Sequence, residues 1–269
     1  MRVIVLMTDF GLRDPYVGMM KGVIASINPN VSILDLTHEV PKYNIEIAAH
    51  MLKISYKYFP RGSIFTVVVD PGVGGPRRPI IIKSRNYYFV GPDNGVLVPA
   101  AMDDGVQGVY EINVGIAGLK EVSYTFHGRD VFAPTSAYLS LGIPPQVLGR
   151  EIRFEELVTV RTLPEKPIVE NDVIKVRVVH VDDFGNLILS CDLGTLMDML
   201  KVSYGNYVRI RTAEGIRDVL VARTFSETCK GCLALYEGSF RLAEIAVYMG
   251  SAQKMLGLSV NDIVEFKVR

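Results

Sequence analysis

The chain has no tryptophan and, in 269 residues, only three cysteines and four histidines. Cys191, Cys229 and Cys232 are too few to build a disulfide framework. Cys229-Lys230-Gly231-Cys232 has the spacing of a zinc knuckle or a redox pair, but a zinc site needs a second pair of ligands. Only Cys191 and His180 are at hand for that, so no metal is expected, and two thiols flanking a Lys-Gly turn is the simpler reading. An excess of charge of one sign is also missing. Twenty-nine basic residues balance 29 acidic ones, which removes any bulk attraction to nucleic acid or anionic membrane. No apolar run approaches the ~18 residues that span a bilayer. Met1-Arg2-Val3 leads directly into a strand without a cleavable-signal pattern. The expectation is a cytoplasmic protein with neither a nucleic-acid nor a membrane partner and no cofactor.

What is present suits a folded α/β protein. Apolar residues make up 49% and charged residues 22%, and the length allows one large domain or two modest ones. Arg2 to Met7 reads as a buried strand. Asp14 and Pro15 then suggest an N-cap and a first helical position, with a helix to Ile27 stopped by Asn28-Pro29-Asn30. Val31 to Leu36 is a second strand, Asn44 to Lys53 a helix capped by Asn44, and Ser63 to Val69 a third strand. Strands alternating with helices predict a mostly parallel sheet with right-handed crossovers. A hairpin around Ser84-Arg85-Asn86, a helix near Gly95 to Met102, a strand near Val109 to Ile112 and a helix near Val131 to Leu141 complete a first domain over residues 1–163. The segment Thr162 to Glu170, with Pro164 and Pro167, reads as a linker. Residues 171–269 carry short apolar runs separated by turn signals such as Ala213-Glu214-Gly215, the last from Ile263 to Val268. They predict an antiparallel, barrel-like second domain.

Five apolar runs end in an ionisable side chain with glycine close by: Met7-Thr8-Asp9-Phe10-Gly11, Val69-Asp70-Pro71-Gly72, Pro92-Asp93-Asn94-Gly95, Phe126-His127-Gly128-Arg129-Asp130 and Asp182-Asp183-Phe184-Gly185-Asn186. Asp, Asn and Gly are ordinary turn formers, so any one of these alone reads as a turn. Together, carrying Asp, His and Arg at strand ends, they read as a site. The loop from Asp70 to Arg78 is stiffened by Pro71 and Pro76 and opened by Gly72, Gly74 and Gly75. It could cradle an anion on its amides, or set Asp70 facing Arg77 around a polar reactant, or simply hold an ion pair. It lacks the Gly-Lys-Ser/Thr ending of a P-loop. His127 beside a carboxylate and an arginine could orient or deprotonate a water, although a lone histidine is commonly structural. Asp9 beyond the first strand suits two adjacent ribose hydroxyls. Asn186 could read an adenine edge and Phe184 offers a stacking face, against the plainer reading of an Asp-Phe-Gly-Asn turn.

In this order the motifs are familiar. Thr8-Asp9-Phe10-Gly11, Asp14-Pro15-Tyr16-Val17-Gly18, Thr37-His38-Glu39-Val40, Val69-Asp70-Pro71-Gly72-Val73-Gly74, Pro92-Asp93-Asn94-Gly95, Phe126-His127-Gly128-Arg129-Asp130 and Phe184-Gly185-Asn186-Leu187 resemble those of the S-adenosylmethionine hydroxide adenosyltransferases, kin of the S-adenosylmethionine-dependent fluorinase and chlorinase. The resemblance runs from Thr8 to about Gly257. It implies an α/β domain followed by a β-barrel-like domain. It further implies a homotrimer that binds ligand between the first domain of one subunit and the second domain of the next. The implied reaction is cleavage of S-adenosyl-L-methionine by water to adenosine and L-methionine, through in-line attack at the ribose C5′. The family's water-activating set maps to Asp70, Arg77 and His127, with the formal base open between Asp70 and His127. Asp9 would hold the ribose diol, with Tyr43 on the wall of the sugar and adenine site. Phe225 and Asn186 would bracket or read adenine, and Asp182 and Ser239 would hold the methionine ammonium and carboxylate; Asp14 and Phe184 are counted with the substrate-binding residues. One departure stands out: Ser239 is followed by Phe240-Arg241, where the halogenating relatives place arginine next to the serine. Arg241 either takes over the carboxylate contact or is solvated.

Two alternatives differ in chemistry. A halogenase would bring an anion against Asp70, whereas the fluorinase pattern has Tyr at that position and Tyr-Ser at His127-Gly128. A sensor of adenosine or S-adenosylmethionine would use Asp9 and Asn186 without turnover. An unrelated phosphate-cradling hydrolase is the more distant third reading.

Overall fold

The computed structural model describes residues 2–212 and 215–267. It divides into two compact units, one running to Thr162 and the other starting at Leu163. Each is an independent layer of strands and helices around its own core.

The first unit holds strands β1 (Val3–Thr8), β2 (Ser32–Thr37), β3 (Ile64–Val68), β4 (Pro79–Ser84), β5 (Tyr88–Pro92), β6 (Val106–Ile112) and β7 (Gly149–Ile152). Its helices are α1 (Tyr16–Ile27), α2 (Ile45–Ser55), α3 (Val98–Asp104), α4 (Val114–Ala117), α5 (Ala133–Ser140) and α6 (Pro145–Leu148). The sheet order is β2-β1-β3-β5-β4-β6-β7. The pairings from β2 through β1 and β3 to β5 are parallel, and those of β4 with β5, β4 with β6 and β6 with β7 are antiparallel. Central strands of such a sheet are covered on both faces and read as continuous apolar runs, as Ile4 to Met7 do, all fully buried. On β3 the faces separate by parity: Ile64 and Val68 join the core with α1 and α5, while Phe65 stacks on Phe89. Thr66, buried on the α5 side, shares a 2.7 Å hydrogen bond with Ser136.

Local signals explain most of the boundaries. Asn44 caps α2 by accepting from the Ile47 amide, as its position suggests. At α1 the expectation fails by one residue: Pro15 is the N-cap and no side chain caps the helix, so Asp14 is not the cap. The expected helix over Val131 to Leu141 is instead a π-helical turn, Gly128–Phe132, followed by α5 with Pro134 in its first turn. Strand β7 and helices α4 and α6 were not anticipated; each is four residues long, too short for a periodic signal.

The second unit holds β8 (Ile168–Glu170), β9 (Val173–Val181), β10 (Leu187–Leu189), β11 (Tyr207–Thr212), β12 (Gly215–Val221), β13 (Leu233–Glu237), β14 (Ala243–Val247) and β15 (Ile263–Lys267), with α7 (Leu193–Leu200) and α8 (Ala252–Leu256). Strand β10 pairs with both β14 and β9, which closes a barrel in the order β10-β14-β13-β12-β11-β15-β9. Alternate residues fill it, for instance Ile174, Val176 and Val178 on β9 or Leu233 and Leu235 on β13. Closure removes sheet edges that would otherwise template aggregation. Two features depart from the expected antiparallel barrel. Strands β12 and β13 pair in parallel, joined by a crossover over residues 222–232. The expected linker contributes β8, hairpinned to β9 through Asn171 and Asp172, both at positive φ. Of the expected turn at Ala213-Glu214-Gly215, only Gly215 is among the described residues, and the expected strand end at Val268 lies outside them.

Helix α7 is the larger surprise in this unit. It starts at Asp192, whose side chain accepts from the Thr195 amide, and buries Leu193, Leu196 and Leu200 against the barrel core. Leu196→Ala removes a fully buried side chain and is expected to cost about 2–5 kcal/mol. Chemical denaturation followed by circular dichroism should show an earlier unfolding midpoint with an unchanged slope; an unshifted midpoint would show that α7 contributes little to the core.

Candidate active site

Parallel pairing aligns Thr8 on β1 with Val68 on β3, so the residues that leave these strands, Asp9 and Asp70, emerge side by side at the carboxyl edge of the sheet. That edge is where open α/β sheets bind ligands. A cavity of about 630 Å³ opens there, with Asp9, Asp14, Tyr43 and Asp70 among its lining residues.

Asp9 is nearly buried and is fixed from the following loop. The Tyr43 amide donates to its Oδ2 at 2.9 Å, and the Lys42 ammonium donates to its backbone carbonyl. Its Oδ1 has no donor among the described residues. Tyr43 adopts φ 63°, a conformation that costs a bulky residue about 1 kcal/mol or more and that clusters at ligand sites. Behind this loop, Thr8 Oγ1 bonds His38 Nδ1 at 2.8 Å and accepts from the Phe10 amide, which sets the turn that carries Asp9.

The loop from Asp70 to Arg78 folds Arg77 back onto the strand end it left. Arg77 donates through Nε and Nη2 to Asp70, at 2.5–3.0 Å, and through Nη2 to His127 Nδ1 at 2.9 Å. Its guanidinium also lies 5.4 Å over the Phe132 ring. The Asp70 and Arg77 side chains are only 4% and 10% exposed. Arg77 Nη1 is buried with no acceptor among the described residues, an arrangement that costs about 1–3 kcal/mol unless a small ligand satisfies it. The backbone must turn tightly to achieve this. A Cβ at Gly74, which has φ +76°, would lie 2.3 Å from the Tyr124 carbonyl oxygen. The neighbouring strand-end group proves structural: Asp93 anchors the loop through Arg78 at 2.6 Å, and Asn94 donates to the Val69 carbonyl.

His127 precedes the π-helical turn, a local widening that often marks functional positions. Fully buried Asp130 secures this turn by accepting from the Ser123 amide and from Arg129. Its burial opposes ionisation, but these hydrogen bonds outweigh it and hold its carboxyl below the usual carboxylate range. Burial, and then the Arg77 charge, push His127 below the usual 6.5, against the pull of Asp70 and Asp130. Arginine offers only donors, so Nδ1 of His127 is the acceptor and the neutral ring carries its hydrogen on Nε2.

In the second unit the Asp182–Asn186 loop is held from within. Asp182 Oδ1 accepts from the amides of Phe184 and Asn186, and Oδ2 accepts from Asn186 Nδ2 at 2.9 Å. Phe184 is 80% exposed, and Phe225 contacts the rings of Tyr236 and Tyr248. Ser239 is exposed, and Arg241 reaches Glu237 Oε1 at 3.2 Å on the surface. Cys229 and Cys232 are joined in a disulfide within the crossover that carries Phe225, in place of the two free thiols expected. Among the described residues no group of three or more His, Cys, Asp or Glu could hold a metal ion.

The sequence matches the SAM hydroxide adenosyltransferase N-terminal domain over residues 4–149 and the corresponding C-terminal domain over 176–265. The chain belongs to the SAM hydroxide adenosyltransferase family. A Thermus thermophilus protein named (R)-S-adenosyl-L-methionine hydrolase is 37% identical, covering 96% of each chain. One of the same name from Salinispora arenicola is also 37% identical, over 95% of this chain and 94% of its own. A fluorinase of Nocardia brasiliensis is more distant, at 25% identity over 80% of this chain and 78% of its own. A solved structure of an uncharacterized conserved protein from Thermotoga maritima superposes with a TM-score of 0.87 at 36% identity, over 98% of this chain and all of that one.

In this family member the first unit brings Asp9, Asp14, Tyr43 and Asp70 to one cavity, with Arg77 and His127 bonded behind Asp70. Sequence reading missed the aromatic wall of Phe10, Tyr16 and Phe126, whose ring centroids lie 5.3–5.8 Å apart. It also missed Lys42 and Arg129 in the lining, and the buried hydrogen bond of Tyr236 to Glu244 in the second unit. Phe10, Tyr16, Phe126 and Arg129 do stand within the quoted motifs; Tyr236 and Glu244 had no motif to mark them.

The electrostatics fix a pH dependence. A histidine whose folded pKa is depressed contributes stability above its unfolded value of about 6.5, and loses it as pH falls through the lower folded value. His127 should therefore titrate below 6.5 in NMR spectra, and Arg77→Ala, by removing the neighbouring cation, should raise it. A His127 titration at or above 6.5 in the intact protein contradicts this placement.

Proposed function

We propose that the protein hydrolyses S-adenosyl-L-methionine to adenosine and L-methionine, with Asp70, Arg77 and His127 activating the water. The observation that carries this reading is the buried Arg77, bonded to Asp70 and His127 and left with its Nη1 unpartnered among the described residues. A water seated on that donor gains a cationic neighbour, a carboxylate acceptor and an imidazole, which together orient it.

The chemistry balances simply. A water oxygen bonds to C5′ while the C5′–S bond breaks, its electron pair passing to sulfur and turning a sulfonium into the neutral thioether of methionine. The leaving group needs no acid. The proton released by water needs an acceptor, and Asp70 is our choice. His127 offers an Nε2–H donor to a water while its Nδ1 is occupied by Arg77. Asp70 lines the cavity and offers it a carboxylate acceptor. Positioning contributes the larger share, since fixing a nucleophile in line can lower a barrier by about 7 kcal/mol or more. Halide is disfavoured as a nucleophile, because an anion would face the Asp70 carboxylate.

Asp9, with an unpartnered Oδ1 in the cavity, would take the ribose diol, with Tyr43 as its wall. Phe184, Phe225 and Asn186 would receive adenine. Asp182, Ser239 and Arg241 are assigned to the methionine end, of which Asp182 is already engaged by its own loop and Arg241 by Glu237, while Asp14 would contact substrate in the cavity it lines with Asp9. The ribose and adenine groups belong to different units, and the reading includes a homotrimer that joins them between subunits. Light scattering with an activity assay tests this: a fully active monomer refutes it.

Two measurements separate chemistry from binding. Purified protein given S-adenosylmethionine, with chloride or fluoride added, should form adenosine and methionine; a 5′-halogenated adenosine as main product would instead assign a halogenase, and tight binding without product a sensor. Asp70→Ala and His127→Ala should slow turnover by about 10²–10⁴-fold with binding retained, whereas Asp9→Ala should chiefly raise KM. Wild-type turnover by His127→Ala would remove it from water activation.

A further inference from the structure

His38 grips the turn that carries Asp9 on both sides. Its Nδ1 meets the hydroxyl of Thr8, the residue before Asp9, at 2.8 Å, and its carbonyl accepts from the amide of Gly11, two residues after it, at 2.7 Å. Thr8 Oγ1 also accepts from the Phe10 amide. Both side chains are buried at the end of β1, a strand otherwise filled here by Ile4, Val5, Leu6 and Met7. A buried imidazole and hydroxyl are costly unless their bonds are made, so filling space does not account for them. Strand β2 also departs from regular pairing at this level. Its partners step from Asp35 opposite Leu6 to Thr37 opposite Met7, a bulge of the kind that re-aims a side chain beside a site.

Asp35 completes the set from the far side of the ring. Its Oδ1 lies 3.0 Å from His38 Nε2, close but out of line for a hydrogen bond, and its Oδ2 accepts from Lys21 of α1 at 2.6 Å. A carboxylate offers only acceptors, so it favours the neutral ring form that carries its hydrogen on Nε2. Nδ1 is then an acceptor. The Thr8 hydroxyl gives it its hydrogen and keeps its lone pairs for the Phe10 amide. At its tip Asp9 is held through Oδ2 by the Tyr43 amide, so the aim of its Oδ1 depends on the turn beneath it. His38 is not among the residues that line the cavity, and any effect it has there passes through this turn.

We propose that His38, with Asp35 selecting its ring form, is a positioning residue that aims the Asp9 carboxylate, so that the site selects nucleosides carrying both ribose hydroxyls. This rests on the ribose reading of Asp9 above. A carboxylate accepts from two adjacent hydroxyls at once only when it is aimed at both. A turn free to shift gives up one of the two bonds, and a hydrogen bond to a charged group is worth about tenfold or more in affinity. Sites that read a substrate group by hydrogen bonding discriminate far more strongly than apolar pockets do.

The test compares binding of adenosine and 2′,3′-dideoxyadenosine by calorimetry, with turnover of S-adenosylmethionine followed in parallel. The intact protein should prefer adenosine by about a hundredfold or more. His38→Leu keeps much of the packing and removes Nδ1; the preference should shrink about tenfold and KM rise by a similar factor, with kcat within about twofold. His38→Asn, whose Oδ1 can stand where Nδ1 stood, should recover most of the preference, which a general loosening of the fold would not allow. Asp35→Ala, at an exposed position, should cause a severalfold loss and carries the test if His38→Leu does not fold. With discrimination present in the intact protein, an unchanged preference in the folded variants, a fall in kcat alone, or no recovery in His38→Asn overturns the proposal. Equal affinity for the two nucleosides in the intact protein removes the ribose reading of Asp9 and the proposal with it. If the preference behaves as stated while no adenosine forms from S-adenosylmethionine, the hydrolase reading falls and the positioning role stands.

Discussion

Arg77 is the side chain on which the first unit's site turns. It satisfies a carboxylate from the end of one strand and an imidazole from the start of a helical turn, and both groups depend on it for their orientation. Withdrawing a guanidinium and a carboxylate from water costs several kcal/mol each, and only well-aligned hydrogen bonds repay that. Here Nε and Nη2 are fully used and Nη1 is not. A purely structural ion pair would have no reason to keep a buried donor idle. The leftover donor is aligned by bonds that fix every other part of the group, and on the reading proposed above it is where the reacting water sits.

This constraint reaches outward through the loop that carries Arg77. To return to its own strand end, the chain passes through Gly72 and Gly74, and Gly74 packs so closely under the Tyr124 carbonyl that no side chain fits there. Gly72 lies 3.4 Å, measured to its would-be Cβ, from the Arg77 side chain. The segment that supplies Tyr124 leads directly to Phe126 and His127. Asp130 then ties that segment down from below through the Ser123 amide. The glycines, the buried aspartate and the π-helical turn are thus parts of one device that delivers an imidazole to a guanidinium. Keeping His127 neutral is part of the same design, because a protonated ring could not accept the Arg77 hydrogen bond at Nδ1.

How far the sequence disclosed this depended on whether the signal was local. Asp9, Asp70 and His127 stand at the ends of apolar runs beside glycine, and local patterning suffices to single them out. The parallel-rich sheet and the barrel follow from the change in the length and spacing of apolar runs. Pro92-Asp93-Asn94-Gly95 looked equivalent to the others but anchors Arg78 and the Val69 carbonyl, a distinction made only by tertiary contacts. Helix α7 escaped notice because its buried leucines are few and its cap, Asp192, follows a strand with no break. Glu244 was invisible for a different reason. In a strand whose residues alternate, an acid reads as outward-facing, and nothing in the local pattern says that Tyr236 closes over it.

The second unit shows why ligand contacts and scaffold are hard to separate by mutation. Asp182 holds two backbone amides and the Asn186 side chain, so its loss would first release the loop and only then alter any ligand contact. Gly185 within that loop has φ +80°, and a Cβ there would meet Ser251 Oγ at 2.1 Å, so the loop is also pinned from outside. A loop over-determined in this way presents Phe184 and Asn186 with little conformational entropy left to lose on binding, which is how a small number of contacts can still yield useful affinity. In the first unit likewise, the scaffold fixes the Arg77 guanidinium through Nε and Nη2 and leaves Nη1 as the donor it does not use.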